Sequence, residues 1–349
     1  METLLVVIGL LMIAATLLPF SRADAWWIRV FDFPRLQVAF LLAAALAAHL
    51  LLRRGDGPWR LAFDAALALC LAHQFYRMFP YTRLARPQVE PSRNPEPGSR
   101  VRLLFANVLM TNRESGRLRE LIGEADADIV LAVEADGWWE EQLRGLERTH
   151  PHTVLQPQEN TYGMLLYSRL ELTGVEVKFL VQDDIPSFHG RARMPSGREF
   201  EFHCLHPRPP FPTEDERSTE RDAELLVVGK AIKGTKTPVV VFGDLNDVAW
   251  SRTNNLFQKI SGLLDPRVGR GFYNTFHAHY PFVRFPLDHF FHSTHFRLID
   301  FRRLPAFGSD HFPVFIDLSY EPDAQRRQPE KHADADEQRE AEEKIEKAA

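Results

Sequence analysis

Val239-Val240-Val241-Phe242-Gly243-Asp244-Leu245-Asn246 decides how this chain is read. Four successive large apolar residues, three of them β-branched, make a short strand buried on both faces. At its carboxyl end the polarity changes abruptly. A carboxylate, Asp244, and an amide, Asn246, stand two residues apart at the sheet rim, and Gly243 allows close backbone approach by a ligand. One Asp after one strand is ordinarily a turn or cap residue. The pattern gains weight because it recurs. Leu103-Leu104-Phe105-Ala106 ends in Asn107, Ile129 to Val133 ends in Glu134, and Phe200 to Leu205 is followed by His206. Leu287-Asp288-His289 closes another segment, and Gly308-Ser309-Asp310-His311 precedes a last apolar run, Val314 to Leu318.

Between these strands lie helices. Ser115 to Glu124 carries Leu118, Leu121 and Ile122 at helical spacing, and Thr219 to Lys233 carries Leu225, Leu226 and Val228. Arg102 to Val108, Asp128 to Val133 and Met164 to Tyr167 read as strands, and Arg191 to Met194 with Glu199 to Leu205 flank the hairpin signature Pro195-Ser196-Gly197. A strand-helix mixture of this size with hairpins predicts an α/β (α+β) domain over residues 100–320, packed mixed sheets covered by helices.

The first 86 residues have another character. Leu4 to Phe20 and Leu36 to Leu52 are uncharged apolar runs of a length that spans a bilayer, and Leu61 to Tyr76 is a third, interrupted by Asp64 and His73. Two to three transmembrane helices are therefore expected. Met1-Glu2-Thr3 lacks the positive charge of a signal peptide and a second span follows closely, so the first run reads as an anchor. Trp26 and Trp27 suit an interfacial belt. Arg22, Arg29, Arg35, Arg77, Arg83 and Arg86 on one side outnumber Arg53, Arg54 and Arg60 on the other, which favours a cytoplasmic domain on a bacterial inner or plasma membrane. Residues 87–99 hold four prolines and read as an extended spacer. Residues 321–349, with ten acids against six bases, read as a solvated extension or lone helix. The 349 residues carry 42 Lys plus Arg and 47 Asp plus Glu, a net charge of −5 that excludes a strongly basic nucleic-acid coat protein. Two cysteines, Cys70 and Cys204, exclude a disulfide framework and a four-cysteine zinc site.

In this order, Asn107, Glu134, His206, the Gly-Asp-Leu-Asn run, Leu-Asp-His and Ser-Asp-His resemble the endonuclease/exonuclease/phosphatase superfamily, the DNase I-like fold, over residues 101–320. Gly163 to Arg169 is similar to the family strand that ends in Ser-Arg or Ser-Lys. The resemblance implies a four-layer sandwich, two packed mixed sheets flanked by helices, and Mg²⁺-dependent cleavage of phosphoesters, with Mn²⁺ as an alternative. It implies Asn107, Glu134 and Asp310 on the metal side, with Asp310 holding the metal or its waters. Asp244 would orient or deprotonate the attacking water, Asn246 would bind a phosphate oxygen, and Asp288 would pair with His311. His206 would contact phosphate or help the leaving group. Three-span members of the superfamily are extracytoplasmic phosphatases of cell-wall lipid carriers, which conflicts with the arginine count and leaves the side of the membrane open.

Elementary chemistry agrees with these roles. A hard cation held by carboxylates neutralises charge arising on phosphate oxygens, and an Asp-bound imidazole favours its protonated form. Leu109 stands where many of the nucleases carry an acid, and no Lys/Arg-rich loop suits a long duplex. Both points weaken the nuclease reading, and together with the membrane anchor they favour a lipid phosphate or pyrophosphate at the bilayer; a nuclease and a non-catalytic binding protein on the same fold are the alternatives. His277, His279, His289, His292 and His295 crowd one region without metal-ligand spacing and read as surface or rim histidines. Arg208 in its proline loop reads as a second phosphate contact or a solvated residue, and Trp138 and Trp139 as packing residues.

Overall fold

Apolar runs bounded by turn residues fold here as eleven strands in two sheets, described by a computed structural model over residues 2–52 and 57–348. Arg53 and Arg54, part of the arginine count, lie outside the described residues. The first sheet has the order β10-β11-β1-β2-β4-β3, from Phe296–Arg303, Val314–Tyr320, Arg100–Asn107, Ile129–Val133, Met164–Ser168 and His152–Gln156. The second has the order β5-β6-β7-β8-β9, from Glu171–Lys178, Ser187–Arg193, Glu199–Leu205, Val239–Asp244 and Asp288–His292. Each sheet is mixed, with one parallel pair at its centre, β1 with β2 and β7 with β8.

Alternation within each strand places the layers. Leu103 and Phe105 of β1 point between the sheets, where they meet Phe200, Phe202, Phe242 and Phe290. Leu104 and Ala106, one residue out of phase, lie under α5 (Ser115–Ala125) and α6 (Gly137–Leu143), against Leu118, Leu121 and Trp139. Val239 and Val241 of β8 meet Leu225 and Val228 of α7 (Thr219–Ala231) and Phe257 of α8 (Arg252–Ser261). The result is the expected four-layer sandwich, two mixed sheets with helices outside. Burial on both faces explains why the central strands are apolar throughout rather than alternating.

At the amino terminus, α1 (Glu2–Leu17), α3 (Arg35–Leu52) and α4 (Pro58–Met78) pack through Ala15, Leu42, Ala45, Phe63 and Leu67, with the short α2 (Trp26–Arg29) on the connection. Two segments, Thr3–Phe20 and Arg35–Leu52, are long and apolar enough to cross a membrane, and only 17% and 33% of their residues are buried. A core helix of a soluble protein would be mostly buried. Of the two residues that interrupt the third apolar run, Asp64 lies 2.6 Å from His49 and His73 packs on Phe20, while Gln74 joins Thr16 to Arg35 within the bundle.

Two segments differ from their sequence reading. Residues 87–99 are not a free spacer. Val89 is fully buried in the inter-sheet core, Leu298 of β10 donates to Glu90 O (3.0 Å), and Ser92 donates to Leu298 O (2.8 Å). The prolines keep the segment extended, and the residues between them still carry N–H and C=O groups that pair with the edge of β10. Burial of Val89 stabilises that docking by about 1.5–3 kcal/mol. The charged tail is not solvated on all sides either. Helix α9 (Ala335–Ala348) packs on α7 and α8, with Ala341 beside Leu226, Leu256 and Ile260. Its charges are spent on partners: Lys344 reaches Asp222 (2.6 Å) and Asp24 (3.4 Å), Glu340 pairs with Arg252, and Glu337 with Lys259. Charged composition marked the segment as water-loving, but its opposite charges have complementary partners on the domain.

Candidate active site

Strand ends from both sheets meet at one rim. Asn107 ends β1 and Glu134 follows β2, side by side through the parallel register that pairs Asn107 with Val133. Asp244 ends β8 directly opposite Asp288, the first residue of β9. The Asn107 amide joins the two sheets: Nδ2 donates to Glu134 Oε1 (2.7 Å) and to Asp244 Oδ2 (3.1 Å), while Oδ1 accepts from Leu109 N (3.0 Å). The turn at 308–311 closes the rim. Ser309 Oγ donates to Asn107 O (2.8 Å) and accepts from His311 N (3.0 Å), which brings Asp310 and His311 to the carboxylates.

His311 bridges two acids. Its Nδ1 lies 3.1 Å from both Asp288 oxygens and its Nε2 3.6 Å from Asp244 Oδ2, with Phe276 against the ring. Burial alone would disfavour the charged ring, but Asp288 and Asp244 outweigh it and push His311 up to about 10. Burial raises the Asp244 carboxyl against the pull of His311, with Asp288 adding to the rise. Burial also pushes Glu134 up to about 7, opposed by the Asn107 hydrogen bond and His311 and reinforced by Asp310 and Asp244. Asp244 and His311 are only 1% and 4% exposed, so they sit deeper than the rim position read from the sequence.

His206 is buried, and burial holds it down to about 4 despite Asp244, so it is neutral. Its Nδ1 has no hydrogen-bond partner, a buried polar atom free for a ligand. Asn246 takes a left-handed backbone (φ 50°), its N bonds Asp244 Oδ1 (2.9 Å) and its Nδ2 donates to Pro207 O (2.9 Å). All eight residues singled out in the sequence, Asn107, Glu134, His206, Asp244, Asn246, Asp288, Asp310 and His311, thus belong to one contiguous cluster of contacts and electrostatic neighbours.

The donor chemistry fits a hard divalent cation on the Glu134 side, where the Asn107 amide bonds the carboxylates of Glu134 and Asp244, and Asp310 acts electrostatically on Glu134. Asp244, Asp288 and His311 also place ligand atoms within 4.8 Å of one another. A protonated imidazole committed to Asp288 is no metal ligand, however, so in that trio the ring itself supplies the positive charge.

Gly243 has a role other than ligand access. It pairs with Leu205 of β7 at φ 150°, and a Cβ there would lie 1.9 Å from Leu205 O. Gly243→Ala is expected to destabilise the domain by about 3 kcal/mol or more, through strain and overpacking beside Asp244; a melting temperature equal to wild type would contradict this. Several supporting residues were not read from the sequence. Thr275 Oγ1 accepts from Asp288 N (3.3 Å), Arg267 donates to Asp288 O (3.3 Å), and Arg221 donates to Asn246 O (2.8 Å). The histidine-rich region proves partly internal: His289 and His292 are fully buried, the first between Arg267 and Asp247 O, the second on Ser293 O. Arg208 is engaged by Asp184 (2.6 Å) and lies over Tyr162, while Trp139 is core and Trp138 stacks under Arg113.

Two mixed sheets with outer helices, and a buried rim of carboxylates, amide and imidazolium, define a phosphoester hydrolase. Residues 104–311, more than half of the chain, match the model of the Endonuclease/Exonuclease/phosphatase family, and the chain belongs to that family. Its class is that of the metal-dependent phosphoesterases and nucleases. Solved structures share the fold. The human Nocturnin catalytic domain with bound sulfate aligns at TM-score 0.53 and 17% identity, over 64% of this chain and 95% of that one. An endonuclease/exonuclease/phosphatase from Beutenbergia cavernae aligns at 0.51 and 18%, over 64% and 72%. D. rerio TDP2 humanized by 14 mutations aligns at 0.52 and 12%, over 63% and 99%. A comparison with curated protein sequences finds no match.

Proposed function

We propose that this chain is a membrane-anchored, Mg²⁺-dependent phosphoesterase acting on a lipid phosphate or pyrophosphate, with Mn²⁺ able to replace Mg²⁺. The observation that carries this reading is how the apolar helices meet the domain. Trp250 Nε1 donates to Asp32 O (2.7 Å), Tyr81 Oη to Ala249 O (2.6 Å), and Phe33 packs edge-on against Phe285. Those residues share one cluster with Leu287 and Phe276, the neighbours of Asp288 and His311. These contacts hold the segments that flank the candidate spans against the site's neighbours. A turn at 279–283 carries exposed Tyr280, Phe282 and Val283, and Phe282 O accepts from Gln37 in the first turn of α3 (2.8 Å). Aromatic residues at that level suit a membrane interface.

The organisation we propose keeps residues 1–86 as the membrane region and 100–320 as the catalytic domain, with 87–99 a strap and 321–349 a docked tail. In the site, a bound divalent cation would neutralise charge developing on the phosphate and leaving oxygens. Glu134, Asn107 and Asp310 would hold it. Asp244 accepts the proton of the attacking water, at a carboxylate already oriented by Asn107 and the Asn246 N–H. His311, kept protonated by Asp288, donates to a phosphate oxygen, and His206 and Asn246 offer neutral donors beside it. The near-neutral domain gives no basic track for a duplex.

Full-length protein in vesicles, given Mg²⁺ and either undecaprenyl pyrophosphate, a phosphoinositide or plasmid DNA, tests the reading. Turnover of a vesicle-borne lipid with DNA left intact is expected. Efficient DNA cleavage with no lipid turnover would refute the lipid-phosphate assignment in favour of a nuclease.

A further inference from the structure

A cavity of about 810 Å³ lies between the end of α4, the strap at 86–91, the Ala249–Trp250 segment and residues 327–331, and none of the eight residues of the carboxylate site lines it. Its wall shares Ala249 and Trp250 with the cluster that holds Val248, Phe285 and Leu287. Its volume is that of a small-molecule pocket rather than of a single ion.

Four cations line it: Arg77, Arg86, Arg327 and Lys331. None is neutralised closely. Arg77 donates to Trp250 O (2.5 Å) and Lys331 to Gln258 Oε1 (2.9 Å), both uncharged acceptors. Among the described residues the only carboxylate within 4.0 Å of any of them is Asp323, 4.0 Å from Arg327. Of the two acids on the wall, Glu90 is taken up by Arg297 (3.4 Å) and Glu330 lies by Thr294 (3.5 Å), so among the described residues the wall carries four cations against one carboxylate without a cationic partner. Burial pulls the Lys331 amine below its usual range, a cost that a bound anion would offset. Apart from Gln88 and Asn255 the remaining wall is apolar and aromatic, and Tyr76 and Phe79, 75% and 51% exposed, flank the end of α4. An excess of positive charge over a largely apolar wall, at the end of a helix packed against two candidate spans, selects a ligand that is anionic at one end and apolar at the other.

We propose that this cavity is a second ligand site, which takes the phosphate headgroup of an anionic phospholipid from the surrounding bilayer and so seats the domain on the membrane. The site is independent of the hydrolytic cluster, and the lipid bound there is not the substrate. Guanidinium groups suit phosphate because their planar donors can meet two oxygens at once.

Binding of dihexanoyl phosphatidylglycerol, dihexanoyl phosphatidylcholine and glycerol 1-phosphate to the full-length protein in neutral detergent tests it. Phosphatidylglycerol should bind at least about tenfold more tightly than either of the others, and Arg86→Gln with Arg327→Gln should weaken it by about tenfold. That double variant should hydrolyse a soluble phosphoester at the wild-type rate, and Asp244→Asn should bind the lipid as wild type does, which separates this site from the catalytic one. Equal binding of the two lipids, or an unchanged affinity in the double variant, would overturn the proposal. Glycerol 1-phosphate binding as tightly as the lipid would also overturn it, by making the ligand a soluble phosphate.

Discussion

Asp244→Asn is expected to lower phosphoester turnover by ~10²-fold or more while leaving the fold intact. The carboxylate is buried, accepts from Asn107 Nδ2 and Asn246 N, and faces the His311 ring. An amide of the same shape keeps the volume and can still accept from Asn107. It cannot take a proton, and it removes one of the two charges that hold His311 protonated. Circular dichroism and melting temperature measured beside the rate separate chemistry from folding. A variant with normal turnover would remove Asp244 from the mechanism.

His311→Gln should have a comparable effect on rate, ~10²-fold or more, and a larger one on stability. Without the ring, Asp244 and Asp288 remain buried, facing each other across β8 and β9 with no cation between them. Breaking a buried pair by removing one partner costs about 3–5 kcal/mol. Linkage gives this an independent signature. A histidine raised from 6.5 to about 10 contributes stability that is fully present below 6.5 and is lost as pH rises through about 10. Wild-type melting temperature should therefore fall across that window, and the variant should lack this component of the fall. Equal pH profiles for the two proteins would contradict the protonated ring.

What the sequence conveyed follows from where its signals were local. The strands carrying Asn107, Glu134 and Asp244 are buried on both faces, so each is a dense apolar run with an abrupt polar end, legible without tertiary information. The turn at Ser309 to His311 was legible for the same reason. The supports behind them were not, because they are defined only across the fold. Arg267 and Thr275 act on Asp288 from an irregular stretch with no period, and Arg221 reaches Asn246 from inside a helix whose polar residues give no sign of burial. Gly243 was read as room for a ligand because a sequence does not show which neighbouring strand approaches; the approaching atom is Leu205 O. A helix was one of two readings of the tail and an extended segment the reading of 87–99, but the docking of both on the domain was not legible from composition. Charge and proline describe how a segment meets water, and their partners on the domain are known only once both are placed.

The central claim, that Glu134 and its neighbours form a metal-dependent hydrolytic centre, is tested most directly by the Mg²⁺ activation curve of full-length wild type against Glu134→Gln on one soluble phosphodiester. Wild type should be inactive in EDTA and restored by Mg²⁺ or Mn²⁺. Glu134→Gln should need at least about tenfold more Mg²⁺ for half-activation, since a ligating carboxylate is lost. Turnover that persists in EDTA, or identical activation curves for the two proteins, would contradict it.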